Sequence, residues 1–345
     1  MTDIKGLSPD ELKDEFRRLG EPAYRAGQVF DWLHAKMAVD FSEMTNLSKA
    51  LRERLAGQYS IARMEIREVQ TSSDGTKKFL LSLPDANMIE AVLMPFNYGI
   101  SLCVSSQAGC RMGCRFCAST LNGLSRSLTA AELLEEVYCI QRSENVRVER
   151  IVIMGCGEPF DNYDHVVRFL RLISDEKGQG LGLRHITVST CGIVPGILRL
   201  AEEGLPVTLA LSLHAPDDET RKKLMPVANR WDLAETIAAC DAYFEATGRR
   251  VTYEYCLVEG VNDSPEHADR LARLLHGRNC HVNLISMNPV EERRDLKGSS
   301  GGEEAFKNRL EKGGINATIR KKMGRDIAGA CGQLRNRFLE PSGES

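Results

Sequence analysis

Cys110, Cys114 and Cys117 stand in the run GCRMGCRFCA at 109–118, a C-x3-C-x2-C triplet with a glycine before two of the cysteines and Phe116 inside the last gap. Three thiolates on one short loop can hold three irons of a cubane 4Fe-4S cluster and leave the fourth iron without a protein ligand. An iron with an open position is a site for chemistry. A ferredoxin-like electron carrier would close its cluster with a fourth cysteine, and a structural zinc would want two C-x2-C knuckles or a Cys/His set. No such completion lies near the triplet.

The spacing and its Phe116 resemble the radical S-adenosylmethionine signature, in which the amino and carboxylate groups of S-adenosylmethionine chelate the fourth iron. A second group of candidates follows short apolar runs further along: GCGEP at 155–159, Ser189-Thr190, Ser212-Leu213-His214, and Ser286 with Asn288. Each alone has an ordinary reading as a turn glycine, a helix cap or a capped asparagine, and for Ser286 that reading is the better one. Together with the cysteine loop they outline a cofactor groove. Gly157 lets backbone approach a ligand amino group, Glu158 accepts from that group, and Ser189, His214 and Asn288 hold ribose and carboxylate.

Groups gathered in this way need a frame that brings chain ends together. Short apolar strands at 100–104, 151–154, 186–188, 207–211, 251–257 and 281–285 alternate with helical stretches such as 129–143 and 231–247. This is a β/α repeat and predicts a parallel sheet whose functional groups collect at the C-terminal strand ends. Six units suit a partial (β/α)6 barrel in the α/β class better than a closed eight-stranded one. Upstream, Ser8-Pro9-Asp10-Glu11 reads as a capping box opening a helix, with Leu12, Phe16 and Leu19 on one face. Further helices are predicted over Tyr24–Lys36 and from Ser48 to about Leu55, so residues 1–55 form a small helical accessory domain. Residues 56–98 form a linker β-hairpin region, in which the pattern alternates from Ile66 to Pro95 with Ser73-Asp74-Gly75 as the hairpin turn. Residues 99–345 form the barrel with a C-terminal loop.

Composition bounds the setting. The 345 residues are 42% hydrophobic and 27% charged, as in a globular protein, and no signal core or membrane-length apolar run is present, which predicts a cytoplasmic protein. Eleven cysteines without framework spacing argue for a reducing compartment. The net charge of -3 carries no global nucleic-acid signal. Local charge does. Between Phe306 and Arg325 stand seven basic residues, Lys307, Arg309, Lys312, Arg320, Lys321, Lys322 and Arg325, against the single acid Glu311. They directly precede a Gly-rich segment bearing Cys331, where such charge would position a polyanion near that thiol.

Over essentially its whole length the chain resembles the radical S-adenosylmethionine adenine-C2 RNA methyltransferase family. The matching stretches are CVSSQAGCRMGCRFC (103–117), MGCGEPFDN (154–162), VSTCGIVP (188–195), LSLHAPDDETR (211–221), GVNDSPEHA (260–268), HVNLISMNP (281–289) and RDIAGACGQL (325–334). The resemblance implies a partial barrel with a helical accessory domain, one 4Fe-4S cluster on Cys110, Cys114 and Cys117, and two S-adenosylmethionine molecules consumed per turnover. It implies S-adenosylmethionine contacts at Gly157, Glu158, Ser189, Ser212, Leu213, His214 and Asn288. Cys331 falls on the family's methyl-carrying cysteine, Cys103 on its partner thiol and Glu90 on the general base. The implied substrates are 23S rRNA and tRNA, the implied reductant is a flavodoxin or ferredoxin, and the chain is expected to act as a monomer away from membranes.

The implied chemistry answers a difficulty at the substrate, because carbon 2 of adenine is electron-poor and cannot attack a methyl cation equivalent. In the family's scheme Cys331 first takes a methyl group, a radical made from a second cofactor activates that methyl, Glu90 removes the ring proton, and Cys103 releases the product as a disulfide forms with Cys331. Taken alone, Glu90 reads as a strand-edge carboxylate and Cys103 as a small buried hydrophobe. Cys139, Cys240, Cys256 and Cys280 read as core packing. The chain departs from the family pattern at Cys156, Phe160-Asp161 and Cys191. Two other readings stand beside the main one: methylation of carbon 8 of adenine, and a non-catalytic iron-sulfur RNA-binding protein.

Overall fold

The computed structural model describes residues 1–287, 293, 295–299, 301–324, 326–327 and 334–336. At the N-terminus, β1 (Thr2–Asp3) pairs in parallel with β2 (Tyr59–Ser60) and closes the accessory unit on itself. Between them lie α1 (Pro9–Arg18), α2 (Tyr24–Phe30) and α3 (Lys49–Gln58). The capping box forms as expected: Ser8 Oγ accepts from Glu11 N at 3.2 Å and the Glu11 carboxylate accepts from Ser8 N at 2.7 Å. The second helix differs from its expected span. After Phe30 it widens into a π-helical turn over Asp31–Ala35, which carries both Leu33 and His34 inward.

Those inward residues attach the accessory unit to the barrel. Lys5, fully buried, donates to Ala62 O at 2.9 Å and pairs with Glu135, while Arg168 forks onto Glu11 at 2.6 and 2.9 Å. His34 Nδ1 lies 3.0 Å from the Tyr138 hydroxyl, and burial, reinforced by the Lys5 charge, pushes its pKa down to about 3. The folded protein therefore holds His34 neutral, whereas the unfolded chain protonates it near 6.5. The stability this confers is complete above pH 6.5 and is lost as the pH falls from there toward 3. At about 1.36 kcal/mol per pH unit, it loses about 2 kcal/mol between pH 6.5 and 5. Urea unfolding of wild type and His34→Asn should show their difference changing by that amount over this interval; parallel curves would exclude the assignment.

A ten-stranded sheet forms the rest. β3 (Glu65–Thr71), β4 (Lys77–Ser82) and β5 (Met88–Phe96) run antiparallel and lead into β6 (Gly99–Val104), so the hairpin segment extends the barrel sheet. The predicted turn at Ser73-Asp74-Gly75 lies between β3 and β4. Beyond β6, a short ribbon of β7 (Gln107–Gly109) and β8 (Leu124–Ser127) stands outside the main sheet. The sheet continues in parallel through β9 (Arg150–Ile153), β10 (Ile186–Thr190), β11 (Thr208–Ser212), β12 (Val251–Leu257) and β13 (Cys280–Ser286). These strands and β6 are the six expected from the β/α repeat. A further strand, β14 (Ala317–Ile319), adds to β13. Strands succeed one another in chain order from β9 to β14, and the two edges, β3 and β14, do not pair with each other. The barrel is open. Among the described residues no helix is long and apolar enough to cross a membrane.

Register divides this sheet into two unlike faces. Ile151, Ile153, Ile186, Val188, Leu209 and Leu211 alternate onto the side covered by helices such as α4 (Ala130–Glu144), α5 (Tyr163–Ile173), α6 (Val194–Glu202) and α8 (Leu233–Thr247), and all are buried. The other face is more polar. Cys103 aligns with Val92 and Val152, Ser189 with Ala210 and Thr252, and Ser212 with Glu254 and Asn283. One face is a hydrophobic core and the other lines the barrel.

Candidate active site

The cysteine loop connects β7 to β8, the two strands of the separate ribbon. Gly109 has φ +90°, and a Cβ there would lie 2.0 Å from Gly123 O, so only glycine allows the two strands to close at this point. Cys110 N donates to Gly123 O at 2.9 Å, Cys117 N to Cys114 O at 3.2 Å, and Thr120 Oγ1 to both the Cys114 and Cys117 carbonyls. Cys110 and Cys114 are buried, and burial pushes the Cys110 thiol up to about 12. Burial raises the Cys114 thiol as well, and the neighbouring Cys117 and Cys110 add to it. Among the described residues no three His, Cys, Asp or Glu side chains are gathered as ligands of a single metal ion. A cubane distributes its thiolates over three irons and does not require them to meet at one point, so the donor set fits such a cluster.

Strand ends come up beside this loop. Phe116 packs edge-on against His214 with ring centroids 4.6 Å apart. His214 has φ +55°, and its Nδ1 accepts from Cys256 N at 2.9 Å, so the ring proton resides on Nε2. Burial and the nearby Arg221 push its pKa down to about 3, which keeps it a neutral donor. Asn262 holds this corner, donating to His214 O and Cys256 O at 2.7 Å each and accepting from Val258 N at 2.7 Å. Leu213 N donates to Glu254 O at 3.0 Å.

Gly157 and Glu158 sit tightly against β7. Gly157 has φ +107°, and a Cβ would strike Gln107 at 2.6 Å, so the close approach that demands glycine is made by the protein's own chain. Glu158 is buried; Oε1 accepts from Phe160 N at 3.0 Å and Oε2 from Cys191 N at 2.8 Å. Its backbone N donates to Gln107 Oε1 at 2.8 Å. Of the residues with ordinary readings, Thr190 Oγ1 accepts from Gly192 N and Ser286 Oγ donates to Glu303, both protein contacts. Asn288 and Cys331 lie outside the described residues.

Glu90 is not a strand-edge carboxylate. It lies on β5 between β4 and β6, is buried, pairs with the equally buried Lys78 at 3.0 Å, and accepts from Arg335 N at 2.6 Å. The register places Cys103 opposite Val92, two residues from Glu90 on the same face. Diagonal neighbours of this kind have Cα atoms about 7–8 Å apart. Arg335 Nε donates to Met88 O and Asn336 Nδ2 to Ala118 O, both at 2.9 Å, so residues 334–336 are seated between the Glu90 strand and the cysteine loop. Before Cys331, Gly324 N donates to Asp74 Oδ2 at 3.0 Å and Asp326 accepts from Ser73 N at 2.9 Å.

The basic run is divided by the fold. Arg309, on α10 (Glu303–Lys312), pairs with Asp269 on α9 (Pro265–Leu275) at 2.6 Å, and Lys307 pairs with Glu311 at 3.6 Å. Lys321 and Lys322 follow β14, with Lys321 exposed. Cys139, Cys240 and Cys280 belong to the main core, but Cys256 joins Cys191 and Cys114 in a second, smaller apolar cluster. Cys156 is buried and its Sγ accepts from Gly109 N at 3.2 Å. Spacing does not mark Gln107, Asn262, Lys78 or Arg221; their only signal in the sequence is a position inside or beside a matched motif or a strand.

Comparison with known proteins matches residues 104–272 to the radical SAM superfamily model and residues 2–61 to the ribosomal RNA large subunit methyltransferase N-terminal domain. The chain is 56% identical to a protein of Lachnoclostridium phytofermentans named "Probable dual-specificity RNA methyltransferase RlmN", over 98% of this chain and 95% of that protein. A protein of the same name from Lachnospira eligens is 53% identical over 100% of this chain and 99% of its own length. Among solved structures, a radical SAM methyltransferase from Sphaerobacter thermophilus aligns with TM-score 0.92 at 43% identity, covering 96% of this chain and 99% of that one.

Proposed function

The chain belongs to the RlmN family of dual-specificity RNA methyltransferases, and from this we propose that it methylates carbon 2 of adenine in 23S rRNA and in tRNA anticodon loops, using Cys331 and Cys103 as its working thiols. It is a radical S-adenosylmethionine enzyme with a 4Fe-4S cluster. The observation that carries the reading is the common face of Glu90 and Cys103 beside the cysteine loop. When bound on Cys110, Cys114 and Cys117, the cluster supplies the electron that opens S-adenosylmethionine to radical chemistry.

The chain's own groups do the rest. Gly157, Glu158, Ser189, Ser212, Leu213, His214 and Asn288 orient the cofactor, with His214 offering a neutral N–H donor. Glu90 receives the proton from carbon 2, and its ion pair with Lys78 holds the carboxylate in place. The Cys103 thiolate attacks the sulfur of Cys331, the carbon–sulfur electron pair passes to the transferred carbon, which takes up a proton to become the methyl group, and an external reductant resets the resulting disulfide to two thiols. The accessory unit reads the surrounding RNA, and the protein works as a cytoplasmic monomer. An anaerobic assay with rRNA and tRNA fragments should yield 2-methyladenosine on nucleoside mass spectrometry. Finding 8-methyladenosine would favour the carbon-8 reading, and no cleavage of S-adenosylmethionine by the reduced protein would remove the enzymatic one.

A further inference from the structure

Arg221 is an unusual guanidinium. It lies on α7 (Asp218–Leu224), is completely buried, and forms no ion pair with a carboxylate among the described residues. Two backbone carbonyls hold it: Nη2 donates to Cys191 O at 2.7 Å and Nε to Leu213 O at 3.3 Å. Nη1 has no hydrogen-bond partner among the described residues. Space for the group is kept by Gly192, where a Cβ would lie 2.9 Å from Nη2. The same helix receives the cysteine loop, since Arg115 N donates to Leu224 O at 2.9 Å and Cys114 packs with Leu224 and Met225.

A buried charge without a counter-charge is strongly unfavourable. The strand end that Arg221 holds is Cys191, and Cys191 packs in one buried apolar cluster with Cys114 of the cysteine loop, so the guanidinium stands behind that loop. A cubane bound by three thiolates carries net negative charge, and reduction adds one more. We propose that Arg221 is a positioning residue that compensates the charge of the iron-sulfur cluster and so raises its reduction potential. The proposal rests on the assignment of the cluster to Cys110, Cys114 and Cys117.

The test uses the full-length, cluster-loaded protein, with iron content measured first. Arg221→Met removes the charge and keeps the bulk. At a fixed poised potential, its reduced-to-oxidised cluster ratio, read by electron paramagnetic resonance, should be about tenfold below wild type, or about 59 mV for one electron. Arg221→Lys should remain within about threefold of wild type because it keeps the charge. An unchanged ratio in Arg221→Met at normal iron content would overturn the proposal, as would an equal shift in both variants. Should Arg221→Met hold no iron, its cluster-free form should melt no lower than cluster-free wild type, since a buried uncompensated cation has been removed. A lower melting temperature or failure to fold would show that Arg221 serves only to join the strand ends. Wild-type protein that binds no iron would instead overturn the cluster assignment itself.

Discussion

Cys114→Ala is expected to give a folded protein that lacks the brown absorption of an iron-sulfur cluster and forms no methylated RNA above background. On the proposed assignment Cys114 contributes one of the three thiolates the cluster requires, and two would leave a second iron without a protein ligand. The substitution removes a single sulfur from a small apolar cluster with Leu224, Met225 and Cys256, so loss of packing should cost about 1 kcal/mol. Iron analysis together with thermal melting separates the two effects. Normal iron and normal activity in Cys114→Ala would refute the site.

Under the proposed two-thiol scheme, Cys331 and Cys103 should fail in different ways. Cys331→Ala has no sulfur to carry the methyl group and should form neither methylated RNA nor a covalent RNA adduct. Cys103→Ala retains the carrier and the base but lacks the thiol that releases the product, so protein should accumulate covalently joined to RNA through a methylene bridge. Cys103 is buried on β6, and alanine at that position leaves the strand pairing with β5 and β9 intact. Denaturing electrophoresis of labelled RNA, followed by peptide mass spectrometry, distinguishes the outcomes. Free methylated RNA produced by Cys103→Ala at the wild-type rate would contradict the two-thiol scheme.

Local chemistry explains what could be read from the sequence. The Ser8 capping box, the turn at Ser73-Asp74-Gly75 and the six barrel strands depend on residues close together in the chain, and each forms. β14 has three residues, too short for alternation to mark it. The π-helical turn at Asp31–Ala35 carries His34 to Tyr138, a partner more than a hundred residues away that no local pattern points to. The site divides in the same way. Cysteine spacing marks the proposed cluster loop, but the support given by Gln107 to Glu158, by Asn262 to His214 and by Lys78 to Glu90 depends on distant contacts. Read in isolation Glu90 misleads, because its neighbours on both sides are strands whose pairing no local pattern reveals.

The two-residue alternation that brings Glu90 and Cys103 onto one face also sets a rule for inherited change. Inserting or deleting one codon between 90 and 92 would turn one of the two side chains toward the helices while leaving the strand as apolar as before. A lineage therefore cannot vary the length of this stretch by a single residue and keep both groups on one face of the sheet.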